Sequence, residues 1–166
     1  MARKFRGESV HKVDGKGRVS IPAPFRRVLE ANDPDWTDGL NPNLVLVYGG
    51  KKRHFLEAFS MTAMADVDAR IDRMKRGTKE RRALENLFTA QAAPMQVDET
   101  GRLVLSAKLR EKFNITDEAV FAASGDTFQI WSPAAYDENQ TKLDEWIEEF
   151  DEDFDPLTLL DDGFEE

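Results

Sequence analysis

The chain has 166 residues, no cysteine, a formal net charge of −9 and a sequence pI near 4.8. That length allows one or two small domains with a sizeable core, and the missing cysteine excludes disulfides, thiolate nucleophiles and thiolate metal sites. No run approaches the ~20 apolar residues of a membrane span, and no apolar core follows the basic N-terminus as in a signal peptide; a soluble cytoplasmic protein is expected, with the sequons at Asn114 and Asn139 unglycosylated.

The charge is unevenly placed. Residues 137–166 hold 14 acids against one base, Lys142, or −13, so residues 1–136 carry +4. Residues 1–27 alone hold eight bases and two acids, or +6. A basic head and an acidic tail point to nucleic acid at the head.

In chain order, residues 7–13 read as a strand, Gly15-Lys16-Gly17 as a turn, and 18–21 as the returning strand of a hairpin. Asp favours turns by bonding its own backbone, and Gly takes positive φ without steric cost. Asp14 and Arg18 are placed to pair across this turn. Residues 23–31 read as a short helix with Phe25, Val28 and Leu29 on one face. A polar loop, 32–43, leads to a buried strand at 44–48. A turn at 49–53 leads to a partner strand at 54–59. Ser60 is placed to cap a helix carrying Met61, Met64, Val67, Ile71 and Met74 at helical spacing until Gly77. Thr78 restarts it, with Leu84, Leu87 and Phe88 as the next stripe. The methionine stripe reads as ordinary helix packing, and Lys75, Arg76, Lys79, Arg81 and Arg82 as a solvated basic cluster.

From Met95 the pattern repeats: strand, turn, strand, then a helix at 107–113 and a closing hairpin of 119–123 and 127–131. Ser132-Pro133 opens a helix whose face is Tyr136, Leu143, Trp146, Ile147 and Phe150. Beyond Asp151 the chain is acidic, with scattered Phe and Leu.

The repeat is explicit. Val13-Asp14, Gly17-Arg18 and the run after them recur as Val97-Asp98, Gly101-Arg102 and an apolar run, at an offset of 84 (98 minus 14). Pro24-Phe25-Arg26-Arg27 matches Lys108-Leu109-Arg110-Glu111. Residues 56–60 match 128–132 at an offset of 72 (132 minus 60), so the first copy carries 12 extra residues, assigned to the loop 32–43. A duplicated unit with one insertion is the simplest account.

The first copy, Asp14-x-Lys16-Gly17-Arg18-Val19-Ser20-Ile21-Pro22-Ala23 followed by Phe25-Arg26, resembles the MraZ family of bacterial transcription factors, over about residues 5–136. The resemblance implies a mainly β fold with helices (α+β): two tandem SpoVT/AbrB-like swapped-hairpin half-barrels packed as one pseudo-symmetric unit, joined by a helical hairpin. The expected division is repeat 1 at 5–60, helical connector at 61–90, repeat 2 at 93–136, and a C-terminal helix with acidic tail at 137–166. The tail departs from the family pattern, which ends near the last strand and its helix. The resemblance also implies a homo-oligomeric ring and repression of the division and cell-wall gene cluster through tandem promoter repeats, hence association with the nucleoid.

The residues suggest how. Lys16 and Arg18 would read base edges from the first tip, and Arg3, Lys4, Arg6 and Lys12 would hold phosphates. Asp14, Gly17, Asp98, Gly101 and Arg102 are expected to shape the turns. Glu99 and Thr100 occupy the second tip, so the second repeat is expected to build structure rather than bind. No phosphate loop, dinucleotide fingerprint or zinc motif is present, and His11 and His54 lie in no metal-ligand spacing, so neither enzyme activity, cofactor nor membrane partner is expected. The rival reading is an antitoxin-like interaction module that grips a basic partner with the acidic tail. A further idea is that the tail competes with DNA for the basic head.

Overall fold

The computed structural model describes residues 4–162. It is an α+β structure in which antiparallel strands dominate the first of two compact units, residues 1–133; the second unit is 134–166.

In chain order the first unit runs β1 (Glu8–Lys12), β2 (Arg18–Ser20), α1 (Ala23–Ala31), β3 (Asn43–Val47), β4 (Leu56–Ser60), α2 (Met61–Asp72), α3 (Lys79–Glu85), a π-helical turn (Asn86–Ala90), β5 (Ala92–Gln96), β6 (Arg102–Val104), α4 (Ala107–Lys112), β7 (Glu118–Ser124) and β8 (Thr127–Trp131). Six strands form one sheet in the order β1-β7-β8-β4-β3-β5, and β2 pairs with β6 in a second. Exchanging the repeats turns that order into itself reversed. The register obeys the same exchange: Arg18 faces Val104 while Ser20 faces Arg102, and Leu56 faces Ile130 while Ala58 faces Phe128.

This pairing corrects the hairpin expected at each Asp-x-x-Gly-Arg. The chain does reverse at the first turn, but β1 and β2 meet only at the bridge Val13–Val19. β1 then joins β7 and β2 joins β6. A lone two-stranded hairpin is marginal in water. Pairing across repeats buries Val19, Ile21, Leu103 and Leu105, each at most 1% exposed, in a core shared by both copies.

The register also corrects the placing of the 12 extra residues. Asn43 corresponds to Glu118, an offset of 75 (118 minus 43), because Asn43 faces Gln96 as Glu118 faces Lys12. Nine of the extra residues (84 minus 75) therefore lie between α1 and β3. The other three (75 minus 72) lie in the turn between β3 and β4.

β3 is apolar on both faces for a reason. Leu44 and Leu46 point into the shared core, and Val45 and Val47 into a second cluster with Phe59, Ala63 and Met64. Helix α2 and the π-helical turn cover that side through Met61, Val67, Leu87 and Phe88. The methionines are packing residues there, as expected. Ser60 caps α2 by accepting from the Ala63 N–H, and Thr78 caps α3 through the Arg81 N–H.

One member of the basic cluster is not solvated. Arg81 is 7% exposed; it donates to the Met74 carbonyl at 2.7 Å and pairs with Glu85 at 3.3 Å. It closes the open carbonyl end of α2 against α3, a use of arginine that charge patterning alone does not reveal.

Helix α5 (Pro133–Glu148), in the second unit but for its first residue, is followed by α6 (Thr158–Asp162). Trp146 packs edge-on against Phe150, which stacks on Phe154 at 4.1 Å. Leu143 and Trp146 are about half exposed.

Candidate nucleic-acid interface

The first turn is built around one carboxylate. Asp14 Oδ1 accepts from the backbone N–H groups of Lys16 and Arg18, each at 2.9 Å, and Oδ2 accepts from Arg18 Nε at 2.6 Å. The Gly17 N–H donates to the Asp14 carbonyl and the Asp14 N–H to the Arg18 carbonyl. The Arg18 backbone N–H acts most strongly on the Asp14 carboxyl; burial opposes it next, but the Arg18 side-chain bond and the Lys16 N–H add to the downward effect and the carboxyl ends at about 2. Asp14 therefore stays ionised and keeps Arg18 in one orientation. Among the described residues only Nε of that guanidinium is engaged, and neither terminal amino group has a hydrogen-bond partner. Gly15 and Lys16 form the exposed tip, and Arg18 remains 38% exposed in its side chain.

The second turn repeats this design. Asp98 Oδ1 accepts from the Thr100 and Arg102 N–H groups and the Thr100 hydroxyl, and Oδ2 from Arg102 Nε at 3.1 Å. Burial acts on Asp98 most strongly and upward, but the bonds from Arg102 and Thr100 outweigh it, and the carboxyl ends below its usual value. Its tip carries Glu99 and Thr100 in place of Gly15 and Lys16.

Each turn is locked by the opposite repeat. The Gly17 carbonyl accepts from the Leu105 N–H at 2.8 Å, and the Gly101 carbonyl from the Ile21 N–H at 2.9 Å. Arg110 of α4 donates to the Leu105 carbonyl beside Gly17, and Arg26 of α1 reaches the Gly101 carbonyl at 3.5 Å. Gly17 and Gly101 both hold positive φ, 83° and 79°. At Gly17 a Cβ would stand 2.0 Å from the Leu105 carbonyl oxygen. Arg26 and Arg110 were matched to each other in the sequence; that Arg26 bonds the other copy's turn, and that Arg110 bonds the Leu105 carbonyl next to Gly17, was not legible there.

The candidate cations do not form one patch. Lys12 ends β1 and leads directly into the first turn, so Lys12, Lys16 and Arg18 share one end of the sheet. Lys4 and Arg6 flank Phe5, whose N–H donates to the Gly125 carbonyl at the far end of β1 and whose ring sits in the core against Phe25 and Phe128. Lys12 lies six positions beyond Arg6, at most about 20 Å along the chain. Arg3 lies outside the described residues. His11 bonds Ser9 and packs edge-on against Phe121; burial pushes its imidazole pKa down, so it adds no charge beside Lys12 near pH 7. Among the described residues no group of three or more acids and histidines is placed to hold a metal, and no helix is long and apolar enough to cross a membrane.

The family model described as "MraZ protein, putative antitoxin-like" matches residues 88–155. A Ruegeria pomeroyi protein named transcriptional regulator MraZ is 60% identical over 162 residues, 97% of each chain. A second Ruegeria protein of that name is 56% identical over the same share, and one from Cereibacter sphaeroides is 48% identical over 143 residues, 82% of this chain and 84% of its own. A match of 162 residues out of 166 necessarily takes in most of the acidic tail, so both Ruegeria proteins share that extension. With a turn-for-turn repeat, an unbroken register and full-length identity of this order, the chain belongs to the MraZ family.

Proposed function

We propose that the chain is a transcriptional regulator that binds double-stranded DNA in a sequence-specific way through its first turn. One observation carries this: two turns of the same construction differ at their exposed tips, one cationic and one acidic. The structure favours a tight braced loop, rather than a long β-ribbon, as the element offered to the major groove, which is about 12 Å wide. Lys16 enters at the tip, and the unbonded edge of Arg18 is suited to bidentate contact with guanine O6 and N7. Such a contact is worth about 1–3 kcal/mol of discrimination. Lys12 holds a neighbouring phosphate, which adds affinity and salt dependence without sequence reading. Lys4 and Arg6, at the far end of β1, reach phosphates outside that groove and contribute less. Asp98, Gly101 and Arg102 keep the structural role of their counterparts.

Family membership supports a homo-oligomeric ring acting on tandem short boxes upstream of the division and cell-wall cluster as a repressor, where weak single contacts sum through avidity. It also supports a place at the nucleoid and argues against an enzyme. A gel shift on the DNA upstream of the protein's own gene tests the reading. Lys16→Ala and Arg18→Ala should each lose specific binding while the oligomer and the circular dichroism spectrum persist. Undiminished operator binding by both variants defeats the proposal.

The second unit supports a rival reading. Its exposed Leu143, Trp146 and Ile147 sit among 14 acids, as in a segment that grips a basic partner. Truncation after Tyr136 separates the two: loss of regulation with intact DNA binding favours the interaction module.

A further inference from the structure

The sheet register sorts the loops of the first unit into two ends. At one end Lys12 faces Glu118, Val47 faces Glu57, and Leu56 faces Ile130. The first turn and the β3–β4 turn, residues 48–55, therefore emerge together. The second turn and the Ser124-Gly125-Asp126 turn emerge at the other end, after Gln96 and beside Phe5.

Helix α4 joins the first two loops physically. Its Arg110 lies against Gly17, with Nε 2.9 Å from where a Cβ would stand. Two residues on, Lys112 Nζ donates to the Tyr48 carbonyl at 2.7 Å and lies over the Tyr48 and Phe113 rings. One helical turn thus spans from the DNA-reading loop to the stem of the β3–β4 turn.

That turn is tight and cationic. The Arg53 N–H closes it on the Gly50 carbonyl at 3.3 Å, and Gly50 holds a φ of +89°. Arg53 is committed to the stem: it pairs with Glu57 and covers the Phe55 ring, which stacks on Trp131. Lys51 and Lys52 at the apex are exposed, and among the described residues their side chains have no hydrogen bond or ion pair. The corresponding β7–β8 turn is three residues shorter and carries Asp126. The three residues that distinguish the first copy here thus give it a turn long enough to display two free cations. Exposed acids share this end of the sheet, namely Glu111, Asp117 and Glu118, so the cations are a local feature and not a uniformly positive face.

We infer that Lys51 and Lys52 are a phosphate-binding pair that seats on the sugar-phosphate backbone flanking the groove entered by the first turn. The inference rests on the DNA-binding reading above and adds a contact that positions the duplex without reading bases. Its chemistry is that of an ammonium pair on a short loop: point charges that suit successive phosphates and carry no base preference.

The test is a salt titration of DNA affinity with the intact protein, using the promoter fragment and a scrambled duplex of equal length. The variants are the double substitution Lys51→Ala with Lys52→Ala and, as a control for lost net charge, Lys75→Ala with Lys79→Ala on the connector. Each phosphate contact contributes about 0.9 to the slope of log affinity against log salt. The first double variant should lower that slope by about 1.8, weaken both duplexes about sixtyfold near 0.1 M salt where affinities converge at 1 M, and leave their affinity ratio unchanged. The connector variant should move neither quantity comparably. A slope and affinity equal to the unaltered protein's, or a loss matched by the connector variant, overturns the inference while leaving the proposed function intact, provided Lys16→Ala still fails to bind. A change in the affinity ratio would also overturn it, since the pair would then be reading bases. No binding by the unaltered protein defeats the proposed function, and this inference with it.

Discussion

The two turns share one construction and differ in the charge of their tips. Both hold an Asp that accepts from two backbone N–H groups and pairs with an Arg four residues on. Both depend on a glycine at positive φ, clamped by the opposite repeat. They differ at two exposed tip residues and in the atom facing the glycine. Construction is therefore shared by the duplicated motif, while the difference in charge lies at the exposed tips, where the Lys16 side chain makes no hydrogen bond or ion pair among the described residues. Separating the two requires changing each without the other.

The largest effect should come from the glycines. At Gly17 an added methyl meets a backbone carbonyl, which cannot move aside; at Gly101 it meets the Arg26 side chain, which can. Adding the penalty of positive φ to that of overpacking, Gly17→Ala should cost about 2–4 kcal/mol. Gly101→Ala should cost about 1–2 kcal/mol, since its clash can relax. Urea unfolding of the two variants checks the ranking, and equal losses would show that the clamp is not asymmetric.

Exchange of tip charge comes next. Lys16→Glu should weaken promoter binding about tenfold or more, equivalent to at least ~1.4 kcal/mol, with unfolding unchanged. Glu99→Lys, the mirror change, should leave specific binding within about twofold, a change of no more than ~0.4 kcal/mol. Fluorescence anisotropy on one labelled duplex measures both. A comparable loss from Glu99→Lys would mean that the second turn also touches DNA.

Acid should then expose what the shared carboxylate does. Asp14 has its pKa depressed to about 2 from 3.8, so its contribution to stability is complete above about 4 and is lost as pH falls from there through 2. Asp98 is depressed in the same direction, and its contribution is lost on the same acid limb. Asp14→Asn and Asp98→Asn should each flatten the loss of stability between about pH 4 and pH 2. Thermal melts across that range decide whether either Asp is merely ornamental. The smallest expected effect is that of the tail. Truncation after Tyr136 should raise DNA affinity a few-fold at low salt and leave it unchanged at high salt, as screening predicts; no change at low salt removes the competition idea.

Much of this was legible in the residues because it is local. Helix α1 occupies residues 23–31 with Phe25, Val28 and Leu29 inside, as its spacing dictates. Ser60 and Thr78 cap the helices they precede. Each Asp meets the Arg four positions later, and the tip charges are simply read off. Such features depend on contacts a few residues apart, which the chain's own period and turn chemistry specify.

Partnership over long distance was decided only by the tertiary structure. The Asp-x-x-Gly-Arg motif calls for a reversal but does not say which strand receives the strands that leave it. Here β1 goes to β7 and β2 to β6, since that choice closes one core around both copies. From that pairing follow the locking of each turn's glycine carbonyl by a backbone N–H of the other repeat and the division of the extra residues between two loops. So does the separation of Lys4 and Arg6 from Lys16 by the length of β1. Charge is visible in a sequence, but its gathering into a surface waits on the register of strands far apart in the chain.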